Sequence, residues 1–288
     1  MPIAVLTDST ACLPPELAEQ AGVHVIPLHV TVGRQTLSEG VDISTSEVAE
    51  LLRAGKEKVG TSRPAPGEFV EVYRALVQET GCDSIVSLHL SAAISGTVEA
   101  AQLAAAAVRD EVRVEVVDSR VLGMAMGYAA WSAADAAASG ADLAGAAEVA
   151  RARCAASVTY FYVDSLEHLR RGGRVGTVQA LLGSALAIKP LLTLAEGEVQ
   201  LEERVRTRAK ALARLETKCL EAATAVPPER GVDVAVHHLG WREQAEGVTD
   251  SLREALPADC RVDLVELGAV AGVHTGPGTL AVAVAPRV

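Results

Sequence analysis

A chain of 288 residues, 49% hydrophobic and 22% charged, is long enough for two ordinary domains or one large one and apolar enough for a substantial core, which excludes a disordered protein. Its formal net charge of −11, from 26 basic against 37 acidic residues, speaks against a nucleic-acid surface and against general attraction to anionic membranes; small molecules or proteins are the expected partners. Five cysteines without any Cys-x-x-Cys spacing (Cys12, Cys82, Cys154, Cys219, Cys260) read as reduced core residues of a cytoplasmic protein.

The opening MPIAVLTDST lacks the basic region and long apolar run of an export signal. The uncharged stretch Val121–Ala134 is shorter than the ~20 residues that cross a bilayer, so no transmembrane segment is expected. Ile3–Leu6 reads as a strand ending in Thr7-Asp8-Ser9-Thr10, and Leu13-Pro14-Pro15-Glu16-Leu17 starts a helix whose prolines sit in the first turn, where an N–H has no partner anyway. With Val23–Val32 as a second strand, this is the unit of a parallel sheet, whose loops gather at the strand C-terminal ends. Ser44 and Glu47 have capping-box spacing for a helix to about Leu52. Gly60 to Glu68 reads as a proline-stiffened loop before a Phe69–Glu79 helix. Its adjacent hydroxyls, Thr61 and Ser62, either lead into that helix or hold hydrogen-bond donors at a fixed place.

Ile85–Leu90 has the length and apolarity of a buried strand, and an alanine-rich helix starts at Thr97. Between them, Ser91-Ala92-Ala93-Ile94-Ser95-Gly96 sets hydroxyls and a glycine at a helix start, where unpartnered N–H groups and the helix dipole favour an anion. The loop is a carboxylate seat, or an ordinary N-cap in which Ser95 or Thr97 bonds its own helix. Val112–Val117 is a strand ending in Asp118-Ser119, and helices cover Leu122–Ala138 and Leu143–Ala156. The pattern changes there, giving an N-terminal α/β domain with a parallel sheet over 1–156 and a C-terminal α/β domain with a mixed sheet over 157–288.

Val158–Val163 reads as a strand and Ser165–Arg170 as a short helix leading into Arg171–Gly176, a turn or a phosphate-cradling loop. Val178–Ala187 reads as an apolar helix ended by Lys189-Pro190, and Leu191–Ala195 with Val199–Glu203 as a hairpin about Glu196-Gly197. Arg204 to Lys210 opens a helix to about Ala223, its cations forming a solvated face or an anion contact. Strands at Val232–His237 and Val262–Leu267 flank a helix at Glu243–Leu256. Gly272 to Thr279 reads as a rigid loop before the strand Leu280–Val284; its His274 is a proton carrier or a neutral hydrogen-bonding residue.

Nucleophile elbow, P-loop, dinucleotide fingerprint and His-Glu-x-x-His are all missing, and the adjacent His237 and His238 would face opposite sides of a strand instead of sharing a metal. No cofactor or metal is expected. The remaining hydroxyls, glycines and isolated cations favour binding a carboxylate over breaking bonds.

Taken together, these loops resemble the DegV family, the FakB-type fatty-acid-binding proteins. Asp8-Ser9-Thr10, Gly40 to Ile43, Thr61 to Phe69, Ser91 to Thr97, Asp118-Ser119, Leu169 to Arg174, Ile188-Lys189-Pro190, Arg204-Val205-Arg206 and His274 to Gly278 follow in the family's order over nearly the whole length. The resemblance implies two three-layer α/β domains with the ligand site between them, enclosing one long-chain fatty acid such as palmitate in an apolar tunnel. It places the carboxylate among Thr61, Ser62, Ser95, Gly96, Thr97 and His274, and makes Arg174, Arg204 and Arg206 candidates for head-group or partner contacts. It also implies a lipid-binding subunit, not an enzyme, that presents the acid to a separate fatty acid kinase for acyl-phosphate formation and phospholipid synthesis, with transient membrane contact left open. The alternatives are a phosphotransferase or esterase using the Ser95 loop and His274, and a lipid reservoir or sensor without a kinase. Arg63 and Ala65 depart from the glutamine and serine common in the family; Arg63 adds a cation beside the carboxylate loop that either binds ligand or faces solvent. With Phe69 and Phe161 the two phenylalanines, the tunnel is expected to be mainly aliphatic.

Overall fold

In the strand Ile3–Asp8, Ala4 and Leu6 point to one face and Val5 to the other, and both faces are buried, as in the central strands of a parallel sheet. A strand apolar on both sides needs a helical layer on each. The computed structural model describes residues 2–181 and 189–288. Its first sheet is wholly parallel, in the order Val23–Ile26, Ile3–Asp8, Ser84–His89, Arg113–Asp118. Helices Pro66–Thr80 and Thr97–Ala107 cover one face, packing Phe69, Tyr73, Ala100 and Ala104 onto Leu6 and Ile85.

The other face meets helices Met124–Ala138 and Leu143–Ala156, whose Ala129, Ala130, Ala133, Ala146, Ala147 and Ala150 are fully buried. This pair also packs on a second sheet, where the strand Leu280–Pro286 presents Ala281 and Ala283 to the same core. Small side chains let one helical layer be shared by two sheets at close range. The second sheet is six-stranded and mixed, in the order Glu198–Val205, Lys189–Ala195, Val158–Tyr162, Leu280–Pro286, Val232–His238, Arg261–Glu266, with one parallel pair at the end. Its outer face lies under helices Arg208–Thr224 and Arg242–Ala255. The fold is therefore α/β with parallel and mixed sheets, as expected. None of the described helices is long and apolar enough to cross a membrane.

Four local expectations change. The strand read over Val23–Val32 is two strands: Val23–Ile26 stays in the parallel sheet, and His29–Val32 joins a three-stranded antiparallel sheet with Gln35–Ser38 and Val59–Ser62. Pro27 has no N–H to continue a ladder, and the chain leaves the sheet there. Thr61 and Ser62 consequently end a strand instead of riding a free loop. The segment read as a loop from Gly272 begins as a helix, Ala269–Thr275, capped by Gly276 at φ 81°; its buried residues alternate too little for a helical period to show. Arg204 lies within the Glu198–Val205 strand, and the next helix starts only at Arg208, with Thr207 Oγ1 accepting from Lys210 N. Finally, Gly176–Leu181 is a 3-10 helix and Lys189-Pro190 begin a strand; the rest of the helix expected over Val178–Ala187 lies outside the described residues.

His237 and His238 are both buried, and no cluster of His, Cys, Asp or Glu among the described residues could hold a metal. His237 Nε2 accepts a hydrogen bond from Met124 N at 2.9 Å, joining the second sheet to the shared helices. Burial pushes its pKa down to about 4. The unfolded chain, with histidine near 6.5, therefore binds the proton first, so stability is lost as pH falls from about 6.5 towards 4. Urea denaturation is expected to show a lower midpoint at pH 5 than at pH 7. The drop should shrink in His237→Gln, whose amide oxygen can still accept from Met124 N but does not titrate.

Candidate functional site

Asp8 ends the first strand fully buried, and its carboxylate fixes two loops at once. It accepts from Thr10 N at 3.0 Å, from Thr10 Oγ1, from Leu90 N at 3.1 Å and from His89 Nδ1 at 3.0 Å. His89 Nε2 in turn meets Ser87 Oγ at 2.7 Å, and Ser87 Oγ meets the Tyr73 hydroxyl at 2.9 Å. By connectivity this is the Asp-His-Ser order of a hydrolase triad. By burial it is a strut, because Asp8, Ser87, His89 and Tyr73 are all 0% exposed and no substrate carbonyl can reach Ser87 Oγ. Its effect is to set where the chain leaves the strand at Leu90 and enters the Ser91–Gly96 loop.

On that loop, Ser95 Oγ lies 2.8 Å from Thr97 Oγ1 and accepts from Thr97 N at 3.3 Å, so the N-cap reading describes its own contacts. Ser95 also lines a cavity, so the seat reading is not displaced by it. Facing it, Thr61 is paired with Val30 in the antiparallel sheet. The chain beyond is pinned by Glu68, which accepts from Ala65 N at 2.6 Å and meets His29 Nε2 at 2.8 Å.

Thr61 Oγ1 lies 2.8 Å from Nε2 of His274, in the last turn of the Ala269–Thr275 helix. That helix is held at its start by Glu39, which accepts from Val270 N at 2.9 Å and from Ser9 Oγ. Burial, then the Arg174 charge, push the His274 pKa down to about 4, leaving a neutral ring at pH 7. Its Nδ1 has no hydrogen-bond partner among the described residues and rests against Gly172, where a Cβ would come within 2.1 Å. Glycine is required there: any side chain would push the imidazole off Thr61. Arg174 follows the Gly173 turn, donating Nη1–H to Gly172 O at 2.5 Å and Nε–H to Ile94 O at 3.0 Å, which ties this turn to the serine loop.

These contacts gather the polar residues on the wall of one cavity of about 330 Å³, a usual size for a small-molecule site. Thr61, Ser62, Arg63, Ser95, Gly96, Arg174 and His274 line it, and so do Leu28, Leu90, Phe161, Leu194, Val270 and Ala281. A surface groove shares Ile94, Ser95, Gly96, Arg174 and Val199, so the polar cluster adjoins solvent. Among the described lining residues are hydroxyls, a neutral imidazole and two guanidiniums, and no carboxylate. Such a wall suits a ligand with an anionic end and an apolar body.

Of the residues singled out in the sequence, Thr61, Ser62, Ser95, Gly96, Arg174 and His274 meet at this cavity. Thr97 does not: it is buried behind Ser95, whose hydroxyl it holds. Arg204 and Arg206 do not either: both are exposed beside buried Val205, Arg204 by strand alternation and Arg206 just past the strand's end. Phe161 lines the cavity, whereas Phe69 packs edge-on to His89 in the core. Thr10, Thr275, Thr279 and Arg63, named in the sequence as parts of their loops but not as site residues, also line it, and so does Thr159, which had no mention. Thr159, alone within a strand, carries no motif that could have marked it.

The same arrangement of sheets and loops occurs in solved structures. A DegV family protein from Thermus thermophilus, whose structure concerns fatty acid binding, superposes with a TM-score of 0.89 at 32% identity, covering 99% of this chain and 100% of that one. DegV from Bacillus subtilis, a fatty acid binding protein, superposes with a TM-score of 0.90 at 33% identity, covering 100% of both. A DegV domain-containing protein of Streptomyces coelicolor is 46% identical over 285 residues, 99% of each chain. The family model described as "Uncharacterised protein, DegV family" matches residues 2–287. Since that match and these likenesses run through all three sheets and the loops of the cavity wall, the chain belongs to the DegV family.

Proposed function

We propose that this chain binds one long-chain fatty acid, of the palmitate class, and presents its carboxylate to a separate fatty acid kinase in the cytoplasm, where acyl phosphate is made for phospholipid synthesis. The observation that carries this reading is the meeting of Thr61, Ser95, Arg174 and His274 on the wall of an otherwise largely apolar cavity. Its support from relatives is that proteins of the same fold are fatty-acid-binding proteins. Residues 1–156 and 157–288 act as two lobes on either side of the acid. The neutral His274 donates Nε2–H to Thr61 Oγ1 and so turns the Thr61 proton towards the carboxylate, while Ser62 and Ser95 add hydroxyls and Gly96 allows close approach. Burying a C16 tail at ~0.8 kcal/mol per methylene gives a gross gain on the order of 10 kcal/mol, so the tail sets affinity and the hydroxyls set orientation.

Palmitate titrated into the double variant Thr61→Ala/Ser95→Ala should bind about ten-fold more weakly than into the native chain, with the melting temperature lowered by only a few degrees as the Thr61–His274 and Ser95–Thr97 bonds are lost. Equal affinity would remove these hydroxyls from the head-group site, and no palmitate binding to the native chain would overturn the reading itself. Supplying ATP and palmitate should yield acyl phosphate only when a fatty acid kinase is added. Turnover by the isolated chain would favour the enzyme reading; its Ser95 and His274, however, are bonded to Thr97 and Thr61 and not to each other.

A further inference from the structure

Arg63 stands between the two hydroxyl loops. It follows Ser62 out of the antiparallel sheet, and its guanidinium packs against Gly96: a Cβ there would come within 2.2 Å of Nη1 and 2.9 Å of Cζ. Gly96 is thus the residue that lets this cation reach the cavity wall next to Ser95. Its acidic neighbour is Glu99, one turn into the following helix, at 3.6 Å, beyond hydrogen-bond range. With side-chain exposures of 44% and 68%, that pair contributes little to stability. The other guanidinium on the wall is committed, because Arg174 donates to Gly172 O and Ile94 O. Among the described residues Arg63 therefore brings a planar fork of donors to the head-group region without an acceptor in hydrogen-bond range.

We infer that Arg63 is the ionic partner of the ligand head and the residue that selects an ionised carboxylate over an uncharged lipid head of the same size, with Glu99 holding it when the cavity is empty. This deepens the fatty-acid reading and rests on it. The hydroxyls cannot make the distinction, since Thr61, Ser62 and Ser95 both donate and accept and can serve an amide as well as a carboxylate. A guanidinium donates only, and its charge-assisted, bidentate bond is available to the carboxylate alone. Arg63 is exposed, so replacing it leaves the core untouched.

The test is competition between palmitic acid and palmitamide at equal concentration, with the bound lipids counted by native mass spectrometry on the full chain. The native protein should bind the acid preferentially. Arg63→Gln should lower the acid-to-amide ratio about ten-fold, Arg63→Lys should restore part of it, and Glu99→Gln should raise it. Raising the salt concentration should erode the ratio in the native chain more than in Arg63→Gln. If the native chain binds palmitic acid but Arg63→Gln keeps the ratio, or loses acid and amide alike, the assignment of Arg63 fails and fatty-acid binding stands. If the native chain binds neither lipid, the underlying reading fails.

Discussion

The variant Ala281→Phe is expected to lose palmitate while still binding an acid about two-thirds as long. Ala281 lies opposite Phe161 in the antiparallel pairing of the second sheet, and both line the cavity. A benzyl group at this position occupies the space into which we propose the acyl chain extends. If it displaces about four methylenes at ~0.8 kcal/mol each, palmitate loses about 3 kcal/mol, a factor of more than a hundred. Decanoate, which need not reach the blocked segment, should lose little. Because Ala281 also belongs to the core shared with the helix pair, a larger side chain can strain the packing by about 1–3 kcal/mol. Ala281→Leu serves as the milder member of the series, and thermal unfolding of both variants separates a plugged cavity from a damaged fold. Undiminished palmitate affinity in a well-folded Ala281→Phe would place the acyl chain elsewhere.

The elements legible in the sequence were those with strong local signals. Ser84–His89, Leu143–Ala156 and the capped helix Thr45–Ala54 follow from apolar runs, alanine content and the Ser44–Glu47 box, whose reciprocal hydrogen bonds are formed. The antiparallel sheet was not legible, because its strands are four residues each and take their pairing from a turn at Gly33 and from a partner some 30 residues away. The Ala269–Thr275 helix was hidden for the opposite reason: five of its seven residues are buried, so no polar face marks a period. At the site, the motifs located the loops and not the geometry. That Thr61 meets His274 across 213 residues, and that Gly172 makes room for the ring, are products of the tertiary fold. The Asp8–His89–Ser87 chain was invisible as well, since Asp8 and His89 are 81 positions apart. Low local signal and long sequence separation account for each of these misses.

Replacing Asp8 by alanine should be among the most damaging single changes outside the cavity. Four donors converge on this carboxylate: Thr10 N, Thr10 Oγ1, Leu90 N and His89 Nδ1, all in the interior. Alanine leaves them without an acceptor and opens a polar hole that has no apolar complement. Loss of one member of such a buried network costs about 3–5 kcal/mol, a large share of the roughly 5–15 kcal/mol that holds a typical protein together. At about 2–4 °C per kcal/mol for a chain of this size class, the melting temperature should fall by roughly 10 °C or more. Asp8→Asn keeps the shape and one acceptor oxygen but turns an amide N–H towards donors, so its cost should be intermediate. The change should also weaken palmitate binding in protein that remains folded, because Leu90 N sets the start of the loop that carries Ser95. Thermal and urea unfolding measure the first effect and titration at a temperature well below the transition measures the second. An Asp8→Ala protein within 1 kcal/mol of the native stability would show that the strut does not bear on the fold; one that is destabilised yet binds palmitate normally would separate the strut from the site.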